Sequence, residues 1–112
     1  MAIAETLSEK KEFEESNNYY LEALQLAPAL IDRSSLYIGE NYFGLEEYDK
    51  AIQYLSQAEK LFSYQKNIPA SVRALRTLAS CYEIKEEWKA ALLVLKKRLE
   101  MVQKKLHSII FF

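Results

Sequence analysis

Few groups in this chain are suited to covalent or metal chemistry. Its one histidine, His107, and its one cysteine, Cys81, have no second His or Cys at ligand spacing. Cys81 also lacks a histidine at helical spacing to take its proton, so a nucleophilic thiolate is not expected. Glu46-Glu47 and Glu86-Glu87 are paired carboxylates of the kind that acid–base catalysis uses. Both pairs open amphipathic segments, where negative charge complements the helix dipole. The only glycines are Gly39 and Gly44, so no glycine-rich phosphate loop exists. These residues imply no catalytic site, no cofactor and no metal, and the chain is not expected to be an enzyme. Noncovalent recognition remains. Guanidinium groups such as Arg33, Arg73 and Arg76 suit carboxylates and stack on aromatic rings. The run Lys96-Lys97-Arg98 with Lys104-Lys105 suits an acidic partner, and equally the C-terminal half of a helix.

Composition narrows the class further. At 112 residues the chain is one domain, large enough for a modest core. Half of it is hydrophobic and only two residues are Gly and two Pro, the profile of a compact, helix-rich chain. The net charge of −1 leaves no global field for nucleic acid or an anionic membrane, so neither is an expected partner. A single cysteine excludes an internal disulfide framework and suits a reducing compartment such as the cytoplasm. Glu5 interrupts the N-terminus too early for a signal peptide's apolar core, and no window reaches the length of a membrane span.

The elements that must position these side chains read as helices throughout. Residues 1 to about 10 place Ile3, Ala4 and Leu7 on one face, and Lys10-Lys11-Glu12 reads as a polar break. A second helix carries Phe13, Ser16, Tyr20, Ala23 and Leu24 as its stripe and ends at Pro28. The third starts near Leu30 to Ser34, with Asp32 or Ser34 as its cap. It runs to Phe43, with Gly44 just beyond as a left-handed residue. The fourth covers about Glu46 to Tyr64, with Tyr48, Ala51, Ile52, Leu55, Ala58, Leu61 and Phe62 inward. The fifth runs from Pro69, in its first turn, to Ile84, with Val72, Leu75, Leu78, Ala79 and Tyr82 inward. Trp88 opens the sixth, which continues through Ala91, Leu92, Leu95, Leu99 and Val102 to about Leu106. The expectation is an all-α domain of about six helices in three antiparallel pairs.

A pattern recurs along these helices at a period of 40 residues. Gly39, Tyr42, Tyr48, Ala51 and Leu55 become Ala79, Tyr82, Trp88, Ala91 and Leu95. With Ile38 and Ala58 they resemble the tetratricopeptide repeat, a helix–turn–helix unit of about 34 residues. Leu78-Ala79 through Leu95 resembles a further unit, with Arg98 in place of its second Ala. Ile3-Ala4, Phe13, Tyr20, Ala23 and Pro28 resemble an earlier one, with Leu7 for the Tyr and Ser16 for the first Ala. The resemblance implies a right-handed superhelix of antiparallel helix pairs over residues 1–112. Its repeats fall at about 1–30, 31–68 and 69–106, with 107–112 as a tail. Small residues at 39, 51, 58, 79 and 91 are then expected to let helices close. Bulky residues at 42, 48, 55, 82, 88 and 95 fill the space between them.

The same resemblance implies where a partner would bind. In this family the first helices of successive pairs line a concave groove, and the residues that the motif leaves free face it. These are Arg33, Leu36, Tyr37, Glu40 and Phe43 in the middle unit, and Arg73, Arg76, Thr77, Ser80 and Glu83 in the next. Arg33 and Arg73 hold equivalent places and should stand one repeat apart on the groove wall. Glu40 stands where chaperone-binding relatives carry an Asn, and Arg73 and Thr77 where they carry Lys and Arg. A chaperone-tail clamp is therefore not expected. The implied function is a scaffold or adaptor holding a protein partner's peptide or helix through apolar anchors and acidic residues. The alternative is a regulatory or dimerisation module of a larger signalling protein. Leu93, Val94, Met101, Ile109 and Ile110 exceed what one packed face of the last helix uses. That end is expected to pack on a second copy or on a further helix.

Overall fold

A computed structural model describes the backbone of residues 2–27 and 31–111 and the side chains of residues 10–27 and 31–110. Five helices run in chain order: α1 Ala2–Leu26, α2 Ile31–Gly44, α3 Tyr48–Tyr64, α4 Ile68–Ile84 and α5 Trp88–Phe111. No strand occurs among the described residues. Each helix packs on its neighbours in sequence, and α2 additionally touches α4. This is the all-α stack of adjacent pairs that the repeat pattern predicts.

The difference lies at the N-terminal end, where one helix replaces the expected two. Lys10, Lys11 and Glu12 are polar but are good helix formers, and no Gly or Pro lies between residues 2 and 26 to stop the backbone ladder. Polarity alone does not end a helix. Phe13, Ser16, Tyr20, Ala23 and Leu24 are half-buried, as their spacing predicts. Pro28 and the side chains of Ile3, Ala4 and Leu7 lie outside the described residues. Helix α2 begins at Ile31, ahead of both expected caps. Asp32 sits in its first turn, where its Oδ1 accepts the Arg33 N–H at 2.7 Å, and Ser34 is buried inside the helix. The C-terminal residues expected as a tail continue α5 to Phe111.

Three equivalent turns set the stack. Glu46, Lys66 and Glu86 adopt left-handed φ values of 61°, 59° and 59°. The following N–H groups of Glu47, Asn67 and Glu87 donate back to the carbonyls of Tyr42, Phe62 and Tyr82 at 2.9, 2.9 and 2.8 Å. The carbonyls of the same three residues then accept the first bonds of the next helices, from Ala51, Ser71 and Ala91. Helix end and helix start thus share one residue, which keeps each connection to three positions. Asn67 reinforces its own by accepting the Ala70 N–H on its side chain at 3.3 Å, with Pro69 in the first turn of α4 as expected. Gly44 is not the left-handed residue. It closes α2, and a Cβ there would lie 2.6 Å from the ring of Phe13, so its small size admits α1.

The core lies along α2, α3 and α4, built from Leu36, Leu55, Phe62, Leu75 and Leu78 with small Ala51, Ala58, Ala74 and Cys81 between them. A Cβ at Gly39 would lie 2.7 Å from Leu55 Cγ, so the glycine sets the α2–α3 separation, as its type predicts. On α5 the packed stripe differs from the expected one. Ala91 is buried, and Val94 and Met101 pack on the core. Trp88, Leu92, Leu95, Leu99 and Val102, expected inward, are exposed, Trp88 at 63%. Helix α4 covers one face of α5 only. The neighbouring face is uncovered among the described residues.

Candidate peptide-binding groove

The α2–α4 contact is made by side chains expected to line the groove. Arg73 on α4 reaches across to Glu40 on α2, donating from Nε to Oε2 at 2.8 Å and from Nη2 to Oε1 at 2.7 Å. This two-point fork is the geometry that suits a guanidinium to a carboxylate, and Glu40 pushes the Arg73 ionisation above its ordinary range. The same guanidinium lies 5.6 Å from the ring centre of Tyr37. Tyr37 in turn stacks on Tyr20 of α1, with centroids 5.5 Å apart and planes 25° apart. One ladder, Tyr20–Tyr37–Arg73–Glu40, therefore crosses three helices.

Arg33, one turn before Tyr37, completes a shallow depression with Tyr37, Arg73, Asn67, Pro69 and Ala70 around it and Leu36 and Phe62 beneath. It lies at the N-terminus of α4, the positive end of that helix's dipole. Asp32 sits beside it. The Gln65 side chain, donating to Asp32 Oδ2 at 3.0 Å, holds that carboxyl below its usual range, helped by the Arg33 N–H.

The other expected groove residues are placed as follows. Leu36 is 4% exposed and belongs to the core, so it forms the floor of the depression and is not a free anchor. The reason is its register: it faces the α3–α4 core between Arg33 and Tyr37. Phe43 is half-buried and packs edge-on against Tyr48, with centroids 5.8 Å apart. On α4, Arg76 and Glu83 are exposed. Thr77 and Ser80 donate their hydroxyls to the carbonyls of Arg73 and Arg76, at 3.5 and 3.3 Å. Tyr20 is the residue that sequence reasoning assigned to packing alone. Its stack on Tyr37 becomes visible only once α1 is docked on α2.

A second depression, at the turns, is lined by Glu46, Glu47, Tyr48, Asp49, Lys50 and Lys85. Apart from Glu46, its charges are already paired: Lys85 with Asp49 and with Glu87 (3.4 Å), and Lys50 with Glu47 (3.6 Å). No cluster of His, Cys, Asp and Glu suited to a metal ion occurs among the described residues. No helix there is long and apolar enough to cross a membrane.

Comparison with known proteins agrees with the paired-helix fold. A search of curated proteins finds no match. A scan of protein families matches the tetratricopeptide repeat over residues 30–104, which covers α2 to α4 and most of α5, roughly two thirds of the chain. A family of helix–turn–helix units that serves protein interaction accounts for the paired helices and the small residues at 39 and 91. The chain belongs to the tetratricopeptide repeat family.

Proposed function

We propose that this protein is a non-catalytic interaction module that holds an extended or helical peptide along the α2 and α4 face. The observation that carries this reading is the meeting of Arg33, Tyr37 and Arg73 around one depression at the α4 N-terminus. Arg73 is already neutralised by Glu40, so Arg33 is the cation offered to a ligand's carboxylate, and the half-buried ring of Tyr37 supplies apolar surface beside it. Arg76, Thr77, Ser80 and Glu83 extend the face along α4, and Phe43 extends it along α2. The preferred ligand is a segment with an acidic residue next to an aromatic or aliphatic one.

Arg33 and Arg76 are the positions to test, because reversing Arg73 would set a carboxylate against Glu40 and disturb the fold itself. Peptides selected from a displayed random library for binding the native chain are expected to be enriched in acidic residues. They are expected to lose roughly tenfold or more in affinity for the Arg33→Glu/Arg76→Glu variant. Circular dichroism of that variant should match the native chain. Selected peptides that bind both proteins equally would remove the basic wall from the reading.

A further inference from the structure

The free face of α5 has a pattern that the groove does not use. Trp88, Leu92, Leu95, Leu99, Val102, Leu106 and Ile109 follow one another at alternating spacings of four and three, and every one of them is exposed. That is a seven-residue repeat held for the length of the helix. Its period of 3.5 keeps an apolar seam facing a second helix that winds around the first. Near its end the seam opens into an apolar groove floored by Ile68, Pro69 and Val72 of α4. Isolated exposed leucines need no explanation, but a continuous stripe of this length on a small domain marks a contact surface.

The flanks of the seam identify what covers it. Lys89 and Lys96 border one side, and Arg98 and Lys105 the other, at the positions that set partner choice in paired helices. None of the four is in an ion pair among the described residues, and α5 as a whole carries six Lys or Arg against one Glu. A second α5 would bring basic flank against basic flank in either orientation, so self-pairing through this seam is disfavoured. The outer face of α1 repeats the same spacing with Glu12, Glu15, Tyr19, Glu22 and Leu26, all exposed. Three of those five are carboxylates that docking on the seam would bury, so α1 of another copy is a poor occupant too.

We propose that the α5 seam docks one amphipathic helix of a different protein segment, with an apolar seven-residue repeat and Asp or Glu at its flanking positions. This surface is separate from the α2–α4 face, and the proposal stands whether or not that face binds a peptide. Trp88 is the only tryptophan and sits on the seam, so its fluorescence reports docking directly. The probes are two synthetic helices of matching length with Leu along the seam, one flanked by Glu and one by Lys.

The Glu-flanked helix is expected to shift Trp88 emission to the blue and to bind at least about tenfold more tightly than the Lys-flanked one. Leu99→Glu should abolish the shift while leaving the circular dichroism unchanged, since position 99 is exposed. The double charge reversal Lys96→Glu/Lys105→Glu keeps the apolar seam and should invert the preference between the two helices. The proposal is overturned if neither helix binds or if both bind alike. It is overturned equally if sedimentation shows the chain alone pairing through a seam in which Trp88 is already shielded.

Discussion

A methyl group at position 39 would lie 2.7 Å from Cγ and 3.1 Å from the backbone N of Leu55, a residue with no exposed surface. Neither atom has room to retreat, so Gly39→Ala is expected to cost about 1–3 kcal/mol, read from the urea midpoint. A neutral result would mean that α2 and α3 slide apart freely. Position 66 has the opposite sign. Lys66 holds φ at 59° with an L side chain, at a cost of roughly 1–2 kcal/mol that glycine avoids. Part of the gain is lost to the more flexible unfolded chain, leaving Lys66→Gly about 0.5 kcal/mol more stable than the native protein. Cys81 links burial to pH. Desolvation pushes its thiol up to about 11, while an unfolded thiol ionises near about 8.5. Between those values the unfolded state sheds a proton that the folded state keeps, so stability falls as pH rises through that window. Urea midpoints across that range should fall less steeply for Cys81→Ala than for the native chain; parallel slopes would remove the thiol as the cause.

Elements were legible where period and turn chemistry agree. The bounds of α2 to α4 follow from apolar spacing bracketed by Gly44, Pro69 and the polar pairs between helices, and Gly39 announces close approach by its type alone. Three features stayed hidden for physical reasons. Lys10-Lys11-Glu12 resembles a turn in polarity but not in backbone preference, so α1 runs through it. The left-handed residues are Glu46, Lys66 and Glu86, of types that do not advertise such a conformation; the recurrence of a polar pair at 46–47, 66–67 and 86–87 is the signal that marks them. On α5, two adjacent apolar stripes compete, and only the placement of α4 decides that Ala91, Val94 and Met101 win. In the groove, the paired arginines were legible from their equivalent places, whereas the neutralisation of Arg73 by Glu40 needs the helices' separation. One ion pair tests how α5 is held. Lys97 Nζ lies 2.6 Å from Oε1 of Glu59, whose side chain is only 11% exposed, tying α5 back to α3. Lys97→Ala strands that carboxylate and should cost about 1–2 kcal/mol. Lys96→Ala, one residue away and solvent-facing, should stay within about 0.5 kcal/mol. Equal effects would mean that the α3–α5 tie adds nothing.

At the scale of the whole molecule, stability should be graded along the stack, because each helix rests mainly on its neighbours in sequence. Helices α3 and α4 are enclosed on both sides and contribute most of the core. Among the described residues helix α1 rests on α2 alone, through the Phe13–Gly44 contact, the Tyr20–Tyr37 stack and the bonds from Asn41 to Ser16 and Asn17 at 3.0 Å each. Helix α5 is longer than α4 and leaves its last turns exposed around Leu106 and Ile109. Amide hydrogen exchange is therefore expected to be slowest in α3 and α4, and faster in α1 and in the last turns of α5. Asn41→Ala removes both polar links between α1 and α2. It should speed exchange in α1 by roughly fivefold or more, an effect worth about 1 kcal/mol, while α4 and α5 keep their native rates. A helix docked on the α5 seam should do the reverse, slowing exchange from Leu99 onward and leaving α1 unchanged. One uniform rate across all five helices, moved as a block by Asn41→Ala, would show a single cooperative unit in place of this graded stack.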